Sequence, residues 1–290
     1  MKGSNRLKHG WVASILPGAA WEFLFLLVPF AIVAVMSFLS RGEYGDVERP
    51  WTWENYKRLA GFGLFGFEWL YPAIIIRSFS LALCTAVLCG LASLPLAFFV
   101  AARTHGKRML ALLLLTIPVW TNLLVRTFGW QILLGPEGWV TGLAVWLGWI
   151  EPGRALYPGT GAVLICLVCD YLPFAALPIY AAVEKMDWAQ VEAARDLGAR
   201  GWGTFRHSIY PQIRAGIWAG LLLVFLPATG QFVIPDLLGG AKTVLIGNVL
   251  QQQFGASRDW PFGAAFTVVS MLILLAGTML YSAKTKQQNQ

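Results

Sequence analysis

Few residues in this chain have the type and spacing that chemistry requires. Cys166 and Cys169 form a C-x-x-C, which invites a redox or metal reading. They lie inside an apolar run, however, with no second cysteine pair, and His9, His105 and His207 are scattered. On a helix this spacing places two small polarizable side chains on one face, a packing role. Gly239-Gly240-Ala241-Lys242-Thr243 faintly resembles a phosphate-binding loop but lacks the preceding glycine of that motif. No nucleophile–base grouping is visible, so no catalytic residue, metal ligand or bound cofactor is expected. Asp170 and Arg126 remain, ionisable residues inside apolar runs, where charge is expensive and marks a pathway or a pair. They can pair across neighbouring helices. Alternatively Asp170, with Tyr171 and Trp120, offers charge and aromatic faces to a cation. Gln231 and Asp236, at the outer end of a later apolar run, have the same standing as pathway residues, and Asn122 is grouped with them.

The composition names the scaffold that must position these residues. Of 290 residues, 57% are hydrophobic and 13% charged, against roughly a quarter charged in soluble domains. Mean hydropathy is +0.60, as in polytopic membrane proteins. Six apolar runs are read as spans: about Ala19–Leu39, Ser78–Ala102, Met109–Leu134, Ala155–Val183, Ala215–Ile234 and Phe262–Ala283. Each approaches or exceeds the roughly 20 residues a spanning helix needs. The first is too long for a signal-peptide core of roughly 7–15 residues, and Glu22 snorkels at its interface. The expected fold is an all-α bundle of six transmembrane helices forming one domain over 1–290, because a span must satisfy its backbone hydrogen bonds internally. Pro118, Pro173 and Pro178 are expected to bend spans or free carbonyls.

The net charge of +7 fits membrane topology and implies no nucleic acid. Lys2, Arg6 and Lys8, then Arg103, Lys107 and Arg108, then Lys284 and Lys286 occupy the N-terminal tail, the 103–108 turn and the C-terminal tail, with no acid among them. The positive-inside rule puts these segments and both termini in the cytoplasm. Residues 40–75, carrying Glu43, Trp51, Trp53 and Tyr56, form a polar outer loop, as do 236–260. The aromatic stretch 135–154 lies along the outer surface.

One polar stretch stands between the fourth and fifth spans, on the cytoplasmic side. Asp187 with Gln190 suits a capping box, Trp188 to Leu197 are good helix formers, and Gly198 sits where a helix ends in a left-handed turn. A second short helix, about Trp202 to Ile209, then meets Pro211 in the first turn of the next span. Such a bracket can hand motion to something outside the membrane. A DNA-reading helix-turn-helix has no place between two spans.

Glu192-Ala193-Ala194, Gly198 and Pro211 fall on the spacing of the EAA loop of bacterial ABC importer permeases, which this stretch resembles; Ser208 and Tyr210 occupy the usual Ile and Leu places. Thr52–Tyr56, Leu124–Trp130, Tyr171–Phe174 with Leu177–Tyr180, Phe232–Gly240, Ile246–Asn248 and Arg258–Pro261 are similar to the first permease of spermidine/putrescine importers. The resemblance implies a type I importer fold in the bacterial inner membrane. Its implied partners are a second permease, lipid, a cytoplasmic ATPase dimer that binds ATP and Mg, and a periplasmic substrate-binding protein. It also implies that the loop 185–213, through Glu192, Ala193, Ala194, Arg195, Asp196, Gly198 and Pro211, docks on the ATPase. Polyamine members usually carry Glu where Gln231 stands, so a permease for another small solute stays open. A self-sufficient secondary transporter would leave the loop unexplained, and the paired repeats of such proteins are not visible.

Overall fold

The computed structural model describes residues 4–42, 45–63, 66–240 and 243–287. Lys2, Glu43, Lys242 and residues 288–290 lie outside them, as do the side chains of Arg6, Lys8, His9, Lys284 and Lys286. In chain order the elements are α1 (Ser4–Met36), the hairpin β1 (Ser40–Arg41) and β2 (Val47–Glu48), α2 (Glu54–Leu59), and the hairpin β3 (Phe62–Gly63) and β4 (Gly66–Phe67). Then follow α3 (Leu70–Ala101), α4 (His105–Trp120), α5 (Leu123–Leu134), α6 (Trp139–Trp146), α7 (Thr160–Glu184), α8 (Trp188–Asp196) and α9 (Trp202–Thr204). A π-helical turn (Phe205–Ile209), α10 (Tyr210–Gly230), α11 (Val233–Leu238), α12 (Ile246–Phe254) and α13 (Trp260–Gln287) complete the chain.

Among the described residues, four helical stretches are long and apolar enough to cross a membrane: Leu70–Ala101, Thr160–Glu184, Trp202–Gly230 and Trp260–Met279. The helices His105–Trp120 and Leu123–Trp146 qualify as a pair bent by 94°, and the apolar part of α1, Ala20–Met36, is shorter. Each of the six expected spans falls on one of these helices, with boundaries that differ for physical reasons. The second begins at Leu70 because Pro72 is tolerated in a first turn and the apolar run continues through Arg77. The third is broken. Pro118 sits in the last turn of α4, Thr121 and Asn122 turn extended (ψ 149° and 131°), and the Asn122 side chain caps α5 by accepting from the Leu124 amide at 2.8 Å. The fifth ends at Gly230, four residues short of Ile234.

The chain divides into two compact units, Met1–Pro72 with Val249–Gln290, and Ala73–Asn248. In the first, α13 packs against α1 and α2. Asn55 Nδ2 donates to the carbonyls of Ser37 and Leu39 at 3.0 and 2.8 Å, and Tyr56 Oη shares a 2.7 Å hydrogen bond with Ser37 Oγ. Within the expected polar loop 40–75, α2 therefore folds back onto the chain leaving α1. In the second unit, α7 and α10 make the most extensive helix contact. Gly216 and Gly220 permit it: a Cβ on Gly216 would lie 2.7 Å from the Pro178 carbonyl oxygen, and one on Gly220 2.8 Å from that of Ala175. This small-xxx-small spacing lets membrane helix backbones approach. Below it, Val183, Ile179, Ile213, Ala97, Val100 and Val191 form one buried cluster.

Candidate functional site

The polar bracket sits at the tip of the α7–α10 pair. Asp187 caps α8, its side chain accepting from the Ala189 amide at 3.0 Å. At the other end the Ala199 amide donates to Ala194 O at 3.0 Å and the Gly198 amide to Arg195 O at 2.9 Å. That pair of bonds is the Schellman arrangement, and it requires the left-handed φ of +91° found at Gly198. Val191 is buried and pins α8 to the helical core, which leaves Glu192, Ala193, Arg195 and Asp196 exposed. Leu197, 91% exposed, and Trp202 stand beside them. Arg195, Ala199, Arg200, Gly201, Thr204 and Ile209 line an open recess of about 370 Å³. An ion pair between Arg108 and Glu184 ties the 103–108 turn to the same end of the unit.

The expected second short helix is not separate. It runs through the π turn into α10 as one stretch, Trp202–Gly230. Pro211 is accommodated inside that stretch without breaking it. In a regular α-helix its ring would clash with the carbonyl four residues back, but the preceding turn is widened, with the Tyr210 amide donating to Phe205 O. The sequence pattern does not single out Gln212, which follows Pro211. Its Oε1 accepts from the Asp187 amide at 2.8 Å and its Nε2 donates to Ser208 O at 3.0 Å.

Of the polar residues in apolar runs, Arg126 and Asp170 come together. Arg126 Nη2 donates to Asp170 Oδ2 at 2.9 Å, while Nε approaches Oδ1 to 2.5 Å outside hydrogen-bond geometry. Arg126 Nη1 also donates to the Pro118 carbonyl oxygen. Tyr171 and Gln231 meet through a long 3.4 Å hydrogen bond, and Gln231 Oε1 accepts from the Phe232 and Val233 amides at the start of α11. Trp120, at the break, is 89% exposed, and Asp236 is exposed on α11. Their side chains make no hydrogen bond or ion pair with these four. Cys166 is buried and Cys169 exposed, so they do not share one packed face.

The first unit holds a cavity of about 920 Å³ lined by Trp51, Trp53, Glu54, Arg58, Glu68 and Asp259 among others. Arg58 Nη1 donates to Asp259 Oδ2 at 2.8 Å, and its guanidinium lies 4.1 Å from the Phe262 ring centroid. Burial opposes the Arg58 charge, but its bonds to Asp259 and Tyr71 outweigh that and raise its pKa above the ordinary value.

Among the described residues, apolar helices long enough to cross a membrane carry a capped polar bracket, and comparisons with known proteins give the class of membrane protein. The family model described as "binding-protein-dependent transport system inner membrane component" matches residues 110–284. The spermidine/putrescine transport system permease protein PotB of Escherichia coli (strain K12) is 41% identical over 260 residues, 90% of this chain and 91% of that protein. The protein of the same description from Haemophilus influenzae is 38% identical over 288 residues, 99% of this chain and 97% of that one. A crystal structure of a bacterial ABC transporter involved in alginate import shares the fold, with TM-score 0.72, 16% identity and 99% of both chains covered. The chain belongs to the family of inner-membrane components of binding-protein-dependent transport systems. It is a multi-pass permease and not itself an enzyme.

Proposed function

We propose that this chain is one of two permeases of an ATP-driven importer for polyamines, the class to which spermidine and putrescine belong. It acts as one domain over 1–290, with six crossings and both termini cytoplasmic. A cytoplasmic ATPase dimer binds ATP and Mg and closes on the loop 185–213. A periplasmic binding protein delivers the solute, and this chain, itself without cofactor, lines half of the path with the second permease.

The observation that carries the coupling role is the rigid presentation of α8: capped at Asp187, closed at Gly198 and pinned by Val191, with Glu192, Ala193, Arg195 and Asp196 facing outward. Ala194 is half-buried beneath them, and Pro211 lies just after the π turn, within the continuous stretch that leaves the loop. A stiff bracket on the tip of α7 and α10 passes displacement to both helices, because packed helices move as units. The polyamine class is supported by near full-length similarity to the PotB permeases. Trp120, Asn122, Arg126, Asp170, Tyr171, Gln231 and Asp236 are the pathway candidates. Asn122 caps α5 after its break, and Gln231 accepts from the Phe232 and Val233 amides where α11 begins.

The test is ATP hydrolysis by the reconstituted complex with its binding protein empty, loaded with spermidine or putrescine, or loaded with an unrelated solute. Stimulation chiefly by the polyamine-loaded form is expected. Stimulation by another loaded form keeps the importer and discards the polyamine class.

A further inference from the structure

The carboxylate best placed to meet a cation is already occupied. Asp170 is almost fully buried, and both its oxygens face the Arg126 guanidinium. The same guanidinium holds the Pro118 carbonyl at the end of α4, so one side chain on α5 ties α7 to the near side of the 94° break. The Arg126 side chain is 20% exposed and that of Asp170 3%, which leaves the pair open on the arginine side. Nε lies 2.5 Å from Oδ1 outside hydrogen-bond geometry, so of the two contacts only that of Nη2 with Oδ2 is a well-formed hydrogen bond. A buried ion pair in this condition is poorly compensated for its desolvation.

We infer that Arg126 is a built-in stand-in for the substrate's ammonium group, occupying Asp170 until a solute ammonium displaces it and releases the tie across the α4–α5 break. The inference deepens the polyamine reading and rests on it. An alkylammonium carries the same charge as the guanidinium but is compact, with three donors free to rotate, so it can satisfy Oδ1 where the planar fork does not. Exchange of one cation for another leaves the carboxylate paired throughout, and the displaced guanidinium, already 20% exposed, carries its charge toward the open side of the pair. Exposed Trp120 beside the break offers an aromatic face to the arriving cation. Once freed from Asp170, Arg126 retains the Pro118 carbonyl alone, and the bend loses this ionic tie to α7, leaving only the packing of α4 and α5 against it.

The experiment compares wild type, Arg126→Gln, Asp170→Asn and the double variant, each assembled with the partner permease and ATPase. It measures copurification, spermidine uptake with loaded binding protein, and ATP hydrolysis without substrate. Arg126→Gln strands the Asp170 charge, so less intact complex is expected. The complex that does assemble is expected to hydrolyse ATP faster without substrate because the tie is gone, and to lose less uptake than the double variant. The double variant, which leaves no unpaired charge, is expected to assemble yet lose uptake by about tenfold or more, the scale of one lost charge-assisted hydrogen bond. Recovery of wild-type uptake in the double variant would overturn the inference and make the pair purely structural. So would an uptake loss per assembled complex in Arg126→Gln as large as that of the double variant, or unchanged ATP hydrolysis without substrate. Absence of spermidine uptake by the wild-type complex, with ATPase still associated, is instead the failure of the polyamine reading, and this inference falls with it.

Discussion

Gln212 closes the polar bracket on itself: its side-chain oxygen accepts the amide hydrogen of Asp187, 25 residues earlier, at 2.8 Å. Asp187 is the residue that caps α8, and Gln212 lies one residue beyond Pro211. The chain entering the loop and the chain leaving it are therefore fastened at one point, with Ser208 O held by the same carboxamide. Replacement by leucine removes these bonds from a partly exposed site, a loss of about 0.5–1.5 kcal/mol each. Gln212→Leu is expected to copurify with the ATPase at wild-type level while substrate moved per ATP hydrolysed falls several-fold. Measurement of that ratio in proteoliposomes checks it, and an unchanged ratio contradicts the clasp.

Gly198 gives a cleaner probe, because a Cβ there meets nothing within 4 Å. Any penalty must come from its φ of +91°, about 1–2 kcal/mol for an L-residue held in a left-handed conformation. Coupled uptake should fall in the order Gly, Asn, Ala, Val, since asparagine tolerates this region best and a β-branched residue least. Membrane insertion should stay constant across the series. Normal uptake by Gly198→Val would remove the turn from the coupling mechanism.

Gly216 is limited by space. An added Cβ would stand 2.5 Å from the Ala182 Cβ and 2.7 Å from the Pro178 oxygen, both on α7. Gly216→Val should cost about 1–3 kcal/mol by overpacking and reduce the amount of intact complex. Gly161→Ala, with nothing within 4 Å, should be neutral. Thermal melts in detergent compare the two.

In the first unit, Asp259→Asn weakens the bond that holds Arg58 over Phe262. Arg58 is 42% exposed, so the expected loss is about 1–2 kcal/mol. Arg58→Lys should lose a similar amount despite keeping its charge, because the planar stacking is lost. A lower melting temperature with α8 still able to bind the ATPase is the expected pattern.

How much of this could be read from sequence follows from the range of each interaction. The apolar runs and the Asp187-to-Gly198 helix are local signals, set by composition, a cap and a left-handed glycine; each run falls on an apolar helix, four of them long enough among the described residues to cross a membrane unbroken. The break at Thr121–Asn122 is less legible, since Pro118 alone does not distinguish a gentle kink from a 94° turn; the added signal was Asn122, a good cap residue in mid-run. The π turn was hidden because Pro211 reads equally well as a helix start. That Asp170 pairs with Arg126, 44 residues away, is a long-range contact no local signal carries. Gly216 and Gly220 were readable as a small-xxx-small pair, although the helix they meet was not.

The measurement that bears most directly on the account is spermidine uptake into proteoliposomes holding this chain with its partner permease and ATPase. Accumulation against a gradient is predicted only when ATP and loaded binding protein are both present, and its loss is predicted when the ATPase is omitted. Accumulation by the permeases alone would contradict the coupling role of the Asp187–Gln212 bracket.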